Sequence, residues 1–144
     1  MHKRVIFQDI DGVLNNLPFL MAENDSEAMD PINVARMRSV VVKTGASLVI
    51  SSAWRHGWNW EERIRGAAVR AGWSGMPIIG RTGESHSRGE EIRLWLAENP
   101  TEDFVIVDDN IDDMLPDQAS HVVECDETVG FSEANRQWIE QRWA

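Results

Sequence analysis

Cysteine occurs only once in the sequence, as Cys125, so the chain can form no internal disulfide. This count excludes a small secreted domain built on a disulfide framework, and it fits a reducing cytoplasm. Long apolar runs are also missing, since none approaches the ~18 residues of a membrane-spanning helix. The basic start "MHKR" is followed by only a short apolar run, which does not make a signal peptide. We therefore expect a cytoplasmic protein with no membrane partner.

Basic side chains are scarce as well. Lysine and arginine number 14 against 24 aspartates and glutamates, and the formal net charge is −10. This balance argues against a broad basic surface for nucleic acid, although it leaves room for a local basic groove. The sequence also has no internal repeat, linker or low-complexity segment. Its 144 residues, 42% of them hydrophobic, predict a single domain over residues 1–144 with a buried core.

Apolar segments of strand length alternate with amphipathic segments of helix length along the chain. The predicted strands cover residues 4–9, 46–51, 76–82, 103–109 and 120–126. The predicted helices cover residues 30–45, 59–72, 88–99 and 132–143. Such alternation is typical of an α/β fold. We predict a Rossmann-like parallel sheet of about five strands with helices on both faces.

Polar residues stand where three of the predicted strands end. These residues are Asp9 and Asp11, Ser51 and Ser52, and Asp108 and Asp109. In an open α/β sheet the functional site lies outside the carboxyl ends of the strands. If the three strands are adjacent, four carboxylates and two hydroxyls meet in one crevice.

Carboxylates that lie a few ångströms apart repel one another, so such a cluster needs a proton or a cation. Oxygen ligands without histidine or cysteine favour a hard divalent ion such as Mg²⁺. The alternative is that each acidic pair caps a helix or lies in a solvated loop. That alternative is reasonable for either pair alone and weak for two pairs that each follow an apolar strand directly.

Four short motifs occur in the order and at the spacing of a known enzyme superfamily. "FQDIDGVLN" resembles the first motif of the haloacid dehalogenase (HAD) superfamily, and "LVISS" resembles the second. Arg88 stands where the third motif has a lysine or arginine, and "VIVDDNIDD" resembles the acidic fourth. The sequence resembles more closely the HAD-type domain of Swiss army knife RNA-repair proteins, through "DPINVARM", "ASLVISSAWR", "RGEEIRLWL", "FVIVDDNIDDM" and "TVGFSEANRQWI". Two residues depart from the superfamily pattern: Gln8 replaces an apolar residue, and Arg88 replaces the more common lysine.

The resemblance implies a phosphatase that uses Mg²⁺ and an aspartate nucleophile. It places the nucleophile at Asp9, which would form an aspartyl phosphate. Asp11 would protonate the leaving oxygen and then activate water to hydrolyse that intermediate. Ser51, with Ser52 as an alternative, and Arg88 would hold the phosphoryl oxygens.

The same resemblance implies four metal ligands: Asp9, Asp11, Asp108 and Asp109. Within the fourth motif we expect Asp109 to bind the metal directly, with Asp108 beside it. Asp112 and Asp113 are further candidates, and we expect at most one of them to take part.

The segments between the motifs are too short to hold a folded cap domain, so the resemblance implies a HAD fold without a large cap. An uncapped crevice is open to the end of a polymer, and the likeness to RNA-repair domains points to a polynucleotide 3′-phosphate. The stretch "SAWRHGWNW" (52–60) offers Trp54 and Arg55, with Ser52, as substrate contacts, because bases stack on indole and guanidinium groups. The alternative is that these tryptophans belong to the core.

Two other functions stay open on the sequence alone. One is a phosphatase of small molecules or nucleotides. The other is an inactive phosphate-binding or interaction module, against which the intact pair Asp9 and Asp11 argues. The sequence does not define the oligomeric state.

Overall fold

The computed structural model describes all residues from Met1 to Ala144, and a single five-stranded sheet forms its centre. The strands are β1 (His2–Gln8), β2 (Ser47–Ile50), β3 (Ile78–Arg81), β4 (Thr101–Asp108) and β5 (Val122–Glu124). They lie in the order β3-β2-β1-β4-β5, and every neighbouring pair is parallel. The predicted α/β, Rossmann-like fold is confirmed.

Four α-helices lie in the connections between strands: α1 (Leu17–Glu23), α2 (Pro31–Thr44), α3 (Trp60–Arg70) and α4 (Arg88–Glu98). A fifth, α5 (Glu133–Arg142), follows β5. Two 3₁₀ helices cover Ala53–Arg55 and Pro116–His121. The helix starts follow local chemistry, since Asp30, Ser87 and Ser132 each accept a hydrogen bond from a backbone N–H of the first turn. None of the helices is long and apolar enough to span a bilayer.

The sheet is covered on both faces because successive residues of a strand point to opposite sides. On one side Ile6 and Val105 belong to a large core that includes residues of α2, α3 and α5. On the other side Phe7 and Ile106 pack with Ile92 of α4 in a smaller core. Strands buried on both faces explain why β1, β2 and β4 are continuous apolar runs in the sequence.

The position of β1 decides where the site lies. It is the middle strand and pairs with both β2 and β4, with Gln8 opposite Ile50 and Val107. The three strands whose polar ends were singled out in the sequence are therefore adjacent. Their carboxyl ends form one edge of the sheet, and the polar residues that follow them meet there.

Three short elements were not predicted from the sequence: helix α1 and the two 3₁₀ helices. Helix α1 has seven residues and none of them is buried, so no amphipathic periodicity marks it. The 3₁₀ helix Pro116–His121 precedes a β5 of only three residues, shorter than the predicted strand 120–126. Helix α1 lies in the short segment between β1 and α2, and the chain has no large cap domain.

Candidate active site

An open cavity of about 310 Å³ lies at the carboxyl ends of β1, β2 and β4. The residues that line it are Asp9, Asp11, Ser52, Ala53, Arg88, Asp109, Asn110 and Asp113. Four of these side chains are carboxylates and one is a guanidinium. A phosphate dianion would be repelled from this surface unless a cation neutralised part of the negative charge.

Three carboxylates form the centre of the site. Oxygen atoms of Asp9, Asp108 and Asp109 all lie within 4.8 Å of one another. Asp9 and Asp108 are buried, with 4% and 0% of their surface exposed, and Asp109 is half-buried. Each acid directly follows or ends a central strand, so the parallel pairing of β1 and β4 fixes their separation.

Arg88 is the cation that this cluster already contains. Its Nη1 lies 2.6 Å from Oδ2 of Asp108 and 3.5 Å from Oδ1 of Asp9. Arg88 is the first residue of α4, where the helix dipole disfavours a positive charge. The two carboxylates compensate for that unfavourable position. One arginine leaves the three acids with excess negative charge.

Burial and mutual repulsion change the acidity of the cluster. Burial, followed by the charge of Asp108, raises the pKa of Asp9 well above its usual value. Burial also raises the pKa of Asp109. Asp9 and Asp109 thus hold a proton more readily than free aspartates do, and a divalent cation would take its place. An oxygen-only donor set of this kind could hold Mg²⁺, so the residues fit the metal that the sequence implied.

Asp11 lies apart from the three-acid cluster. It lines the cavity, it is exposed, and its Oδ1 accepts a hydrogen bond of 3.1 Å from Nδ2 of Asn15. Oδ1 of Asn15 in turn accepts a bond of 2.9 Å from the N–H of Gly12. The fully buried Asn15 therefore orients the acid that follows the first strand. Asn15 was not predicted from the sequence as a site residue, although an asparagine four residues after Asp11 can form hydrogen bonds across a tight turn.

The sequence model of one protein family matches residues 5–135, and its description is HAD domain in Swiss Army Knife RNA repair proteins. The chain belongs to this family. No curated protein and no solved structure gave a significant match. Membership of a HAD family implies a phosphatase-type hydrolase, and the acidic edge of the sheet is the candidate for its active site.

The second motif of this HAD domain offers two serines in different environments. Ser51 is fully buried, and its Oγ has no hydrogen-bond partner. Ser52 lines the cavity, and its Oγ accepts a hydrogen bond of 3.2 Å from the N–H of Trp54. Ser52, which was named as the alternative, is thus the serine that borders the crevice. Ser51 was the first choice from the sequence, and it lies beneath the cavity surface.

Trp54 and Arg55 of the HAD domain support the site from below. Trp54 is 8% exposed and belongs to the large core, which was the alternative interpretation of this tryptophan. The Arg55 guanidinium is buried and donates to the carbonyl oxygens of Ser51, Ser52 and Thr82 at 3.0 to 3.2 Å. Both residues were predicted to contact the substrate, but neither side chain lines the cavity. Arg55 instead fixes the backbone that carries Ser52.

The fourth motif contributes one acid beyond the cluster. Asp113 lines the cavity, and its Oδ2 accepts a hydrogen bond of 3.3 Å from the backbone N–H of Arg88. Asp112 does not line the cavity. Of these two candidates, Asp113 is therefore the one that the fold brings to the active site.

Gly12 allows the loop after β1 to pass close to the acidic cluster. Its φ is +79°, and a Cβ atom built there would lie 2.3 Å from Oδ2 and 2.9 Å from Cβ of Asp109. Gly45 is a matched position, because its φ is +72° and no atom lies within 4 Å of such a Cβ. The two glycines therefore share backbone strain and differ in steric contact with the site.

We predict that Gly12→Ala and Gly45→Ala each lower the free energy of unfolding by roughly 1–2 kcal/mol, since both force alanine into a left-handed conformation. Only Gly12→Ala should also displace the Asp109 carboxylate and weaken Mg²⁺ binding by about tenfold or more. Calorimetric titration with Mg²⁺ and denaturant unfolding of both variants measure the two effects. Equal Mg²⁺ affinity in the two variants would mean that Asp109 does not bind the ion in its present position.

Proposed function

We propose that the protein is a Mg²⁺-dependent phosphomonoester hydrolase that acts on the 3′-phosphate ends of polynucleotides. One observation carries the hydrolase part of this proposal. The carboxylates of Asp9, Asp108 and Asp109 meet within 4.8 Å beside Arg88, in a cavity open to solvent. The family to which the chain belongs supports the same chemistry.

Asp9, Asp108 and Asp109 would hold the Mg²⁺. When bound, this ion supplies the positive charge that lets an anionic carboxylate approach a phosphate dianion. The buried environment of Asp9 strengthens each electrostatic contact made there, because little water screens it. Asp9 follows β1 directly, so the strand holds it in one position.

Asp9 and Asp11 divide the reaction into two steps. In the first, an oxygen of Asp9 forms a bond to phosphorus, the ester P–O bond breaks, and Asp11 gives its proton to the leaving oxygen. In the second, Asp11 takes a proton from water, whose oxygen attacks the phosphorus of the aspartyl phosphate and releases inorganic phosphate. The exposed position of Asp11 at the cavity suits a group that must reach both the leaving oxygen and water.

Arg88 and Ser52 would bind the phosphoryl oxygens. The Arg88 guanidinium already lies 3.5 Å from the proposed nucleophile, so it can contact an oxygen of a phosphoryl group attached there. Ser52 reaches the cavity from β2, on the side of β1 opposite to β4. Negative charge that develops on the phosphoryl group would therefore meet donors from two directions.

The open cavity supports a polymer end as substrate. No large cap closes over the acids, so a strand can extend away from a terminal phosphate that lies in the crevice. The family's occurrence in RNA repair proteins supports a nucleic acid as that polymer. A cytoplasmic location is part of the proposal and rests on the single, buried Cys125, which fits a reducing compartment.

The direct test is phosphate release from phenyl phosphate, a 3′-mononucleotide and a 3′-phosphorylated oligonucleotide, with Mg²⁺ and with excess EDTA. We expect activity that disappears with EDTA, and a higher kcat/KM for the oligonucleotide than for the mononucleotide. Full turnover in EDTA would exclude the metal-dependent mechanism. A mononucleotide preference would favour a small-molecule phosphatase, and no release at all would favour a binding module.

Asp9→Asn tests the nucleophile, because it keeps the shape of the side chain and removes its charge. We predict a loss of turnover of roughly a thousandfold or more, with an unchanged far-ultraviolet circular dichroism spectrum. Asp112→Asn is the matched control, since this neighbouring acid does not line the cavity and should keep wild-type turnover. An Asp9→Asn variant with a tenth of the wild-type rate would place the nucleophile elsewhere.

Asp11→Asn tests the acid and base role. A phenolate of low pKa departs with little help from a proton, whereas a ribose or alkyl oxygen needs one. In single-turnover bursts the variant should therefore lose more activity on a nucleoside phosphate than on an activated aryl phosphate. Equal losses in the first step on both substrates would remove Asp11 from the role of acid.

A further inference from the structure

Trp58 is the most exposed tryptophan of the seven in the chain. It exposes 91% of its surface, whereas Trp138, the other clearly exposed tryptophan, exposes 41%. Trp54, four residues earlier in the chain, is buried in the core. An indole in water contributes little to folding, since its large apolar surface is not removed from solvent.

The loop that carries Trp58 is held in place by hydrogen bonds from two arginines. Nη1 of Arg81 donates to the carbonyl oxygens of Arg55 and Gly57, at 2.7 and 3.4 Å. Nη2 of Arg63 donates to the carbonyl oxygens of Trp54 and His56, both at 2.9 Å. These bonds tie the end of the 3₁₀ helix and the two residues that follow it to β3 and α3. The fold therefore presents the Trp58 indole to solvent from an anchored loop.

Arg81 also brings an available positive charge to this loop. Its guanidinium carbon lies 5.0 Å from the ring centre of Trp60, the residue is exposed, and it forms no ion pair with any carboxylate. The neighbouring Arg55 differs, because Glu91 and Glu84 lie 3.2 and 3.7 Å from its Nη2. The Arg81 guanidinium therefore has no carboxylate that competes with an added anion for its positive charge.

A second cavity lies beside Arg81 in the same loop region. It has a volume of about 320 Å³, and its lining includes His56, Gly57 and Arg81 together with Glu84, whose carboxylate lies 3.1 Å from Nδ1 of His56. The 3₁₀ helix Ala53–Arg55 separates it from the first cavity, which Ser52 and Ala53 line.

We propose that Trp58 and Arg81 form a binding platform for the nucleic-acid strand that carries the terminal phosphate. Trp58 would stack on a base, and Arg81 would contact a phosphodiester that precedes the end. This proposal rests on the proposed function, and it names the part of the protein that distinguishes a polynucleotide from a small phosphate ester. The platform is local, so it is compatible with the acidic character of the whole chain.

The test compares kcat/KM on a 3′-phosphorylated single-stranded oligonucleotide with kcat/KM on phenyl phosphate. Because base stacking on an aromatic ring contributes strongly to single-strand binding, Trp58→Ala should lower this ratio by about tenfold. Trp58→Phe should keep most of it, since a phenyl ring can still stack. Trp138→Ala is the matched control, because Trp138 is also exposed and its ring centre lies 5.6 Å from the guanidinium carbon of Arg142. This variant should keep the wild-type ratio.

Oligonucleotide binding to the Asp9→Asn protein separates this proposal from the proposed function. In that background, fluorescence anisotropy should show about tenfold weaker binding after Trp58→Ala. Arg81→Gln should lower the slope of log Kd against log salt by about 0.7, whereas Arg70→Gln, at another exposed arginine, should not change it. If the wild-type protein hydrolysed no phosphate ester, the proposed function would fail, and a Trp58-dependent affinity would still support the platform.

Two results would overturn the platform. One is a Trp58→Ala protein with the wild-type substrate ratio and the wild-type oligonucleotide affinity. The other is a loss of self-association in Trp58→Ala, measured by sedimentation, with no change in oligonucleotide binding. That second result would assign the exposed indole to contact with another copy of the chain.

Discussion

Repulsion among three carboxylates at one edge of the sheet is the constraint around which the site is organised. Parallel pairing of β1 with β4 brings Asp9 beside Asp108, and Asp109 follows at once. Arg88, at the start of α4, compensates for part of this charge. The remaining excess of negative charge is what a hard divalent cation would neutralise, and the same cation would make the crevice attractive to a phosphate.

Much of this arrangement could be predicted from the sequence, because it depends on local signals. Apolar runs that stop at acids locate β1 and β4, and the cap Asp30 locates the start of α2. Local signals could not show which of the two serines of the second motif borders the cavity. Neighbouring residues of an extended chain point in different directions, and only the packed structure shows that Ser52 borders the cavity while Ser51 does not.

The aromatic stretch after β2 illustrates the same limit. The sequence offers Trp54, Trp58 and Trp60 as equivalent indoles, but the structure separates them. Trp54 is in the core, Trp60 is half-buried against the Arg81 guanidinium, and Trp58 is exposed. Tertiary packing makes these distinctions, so composition and spacing could indicate a binding stretch without showing which ring is free to stack. The platform proposed for Trp58 and Arg81 would be a small basic and aromatic surface on an acidic protein.

The central claim is that Asp9 forms a covalent bond to phosphorus, and trapping the phosphorylated enzyme tests it most directly. A reaction of the Asp11→Asn protein with an activated aryl phosphate and Mg²⁺ can be quenched in acid within the first turnover and digested for mass spectrometry. The account predicts one phosphoryl group on the peptide that contains Asp9, sensitive to hydroxylamine as an acyl phosphate is. A phosphoryl group on another residue, or first-turnover release of phosphate without any phosphorylated enzyme, would contradict it.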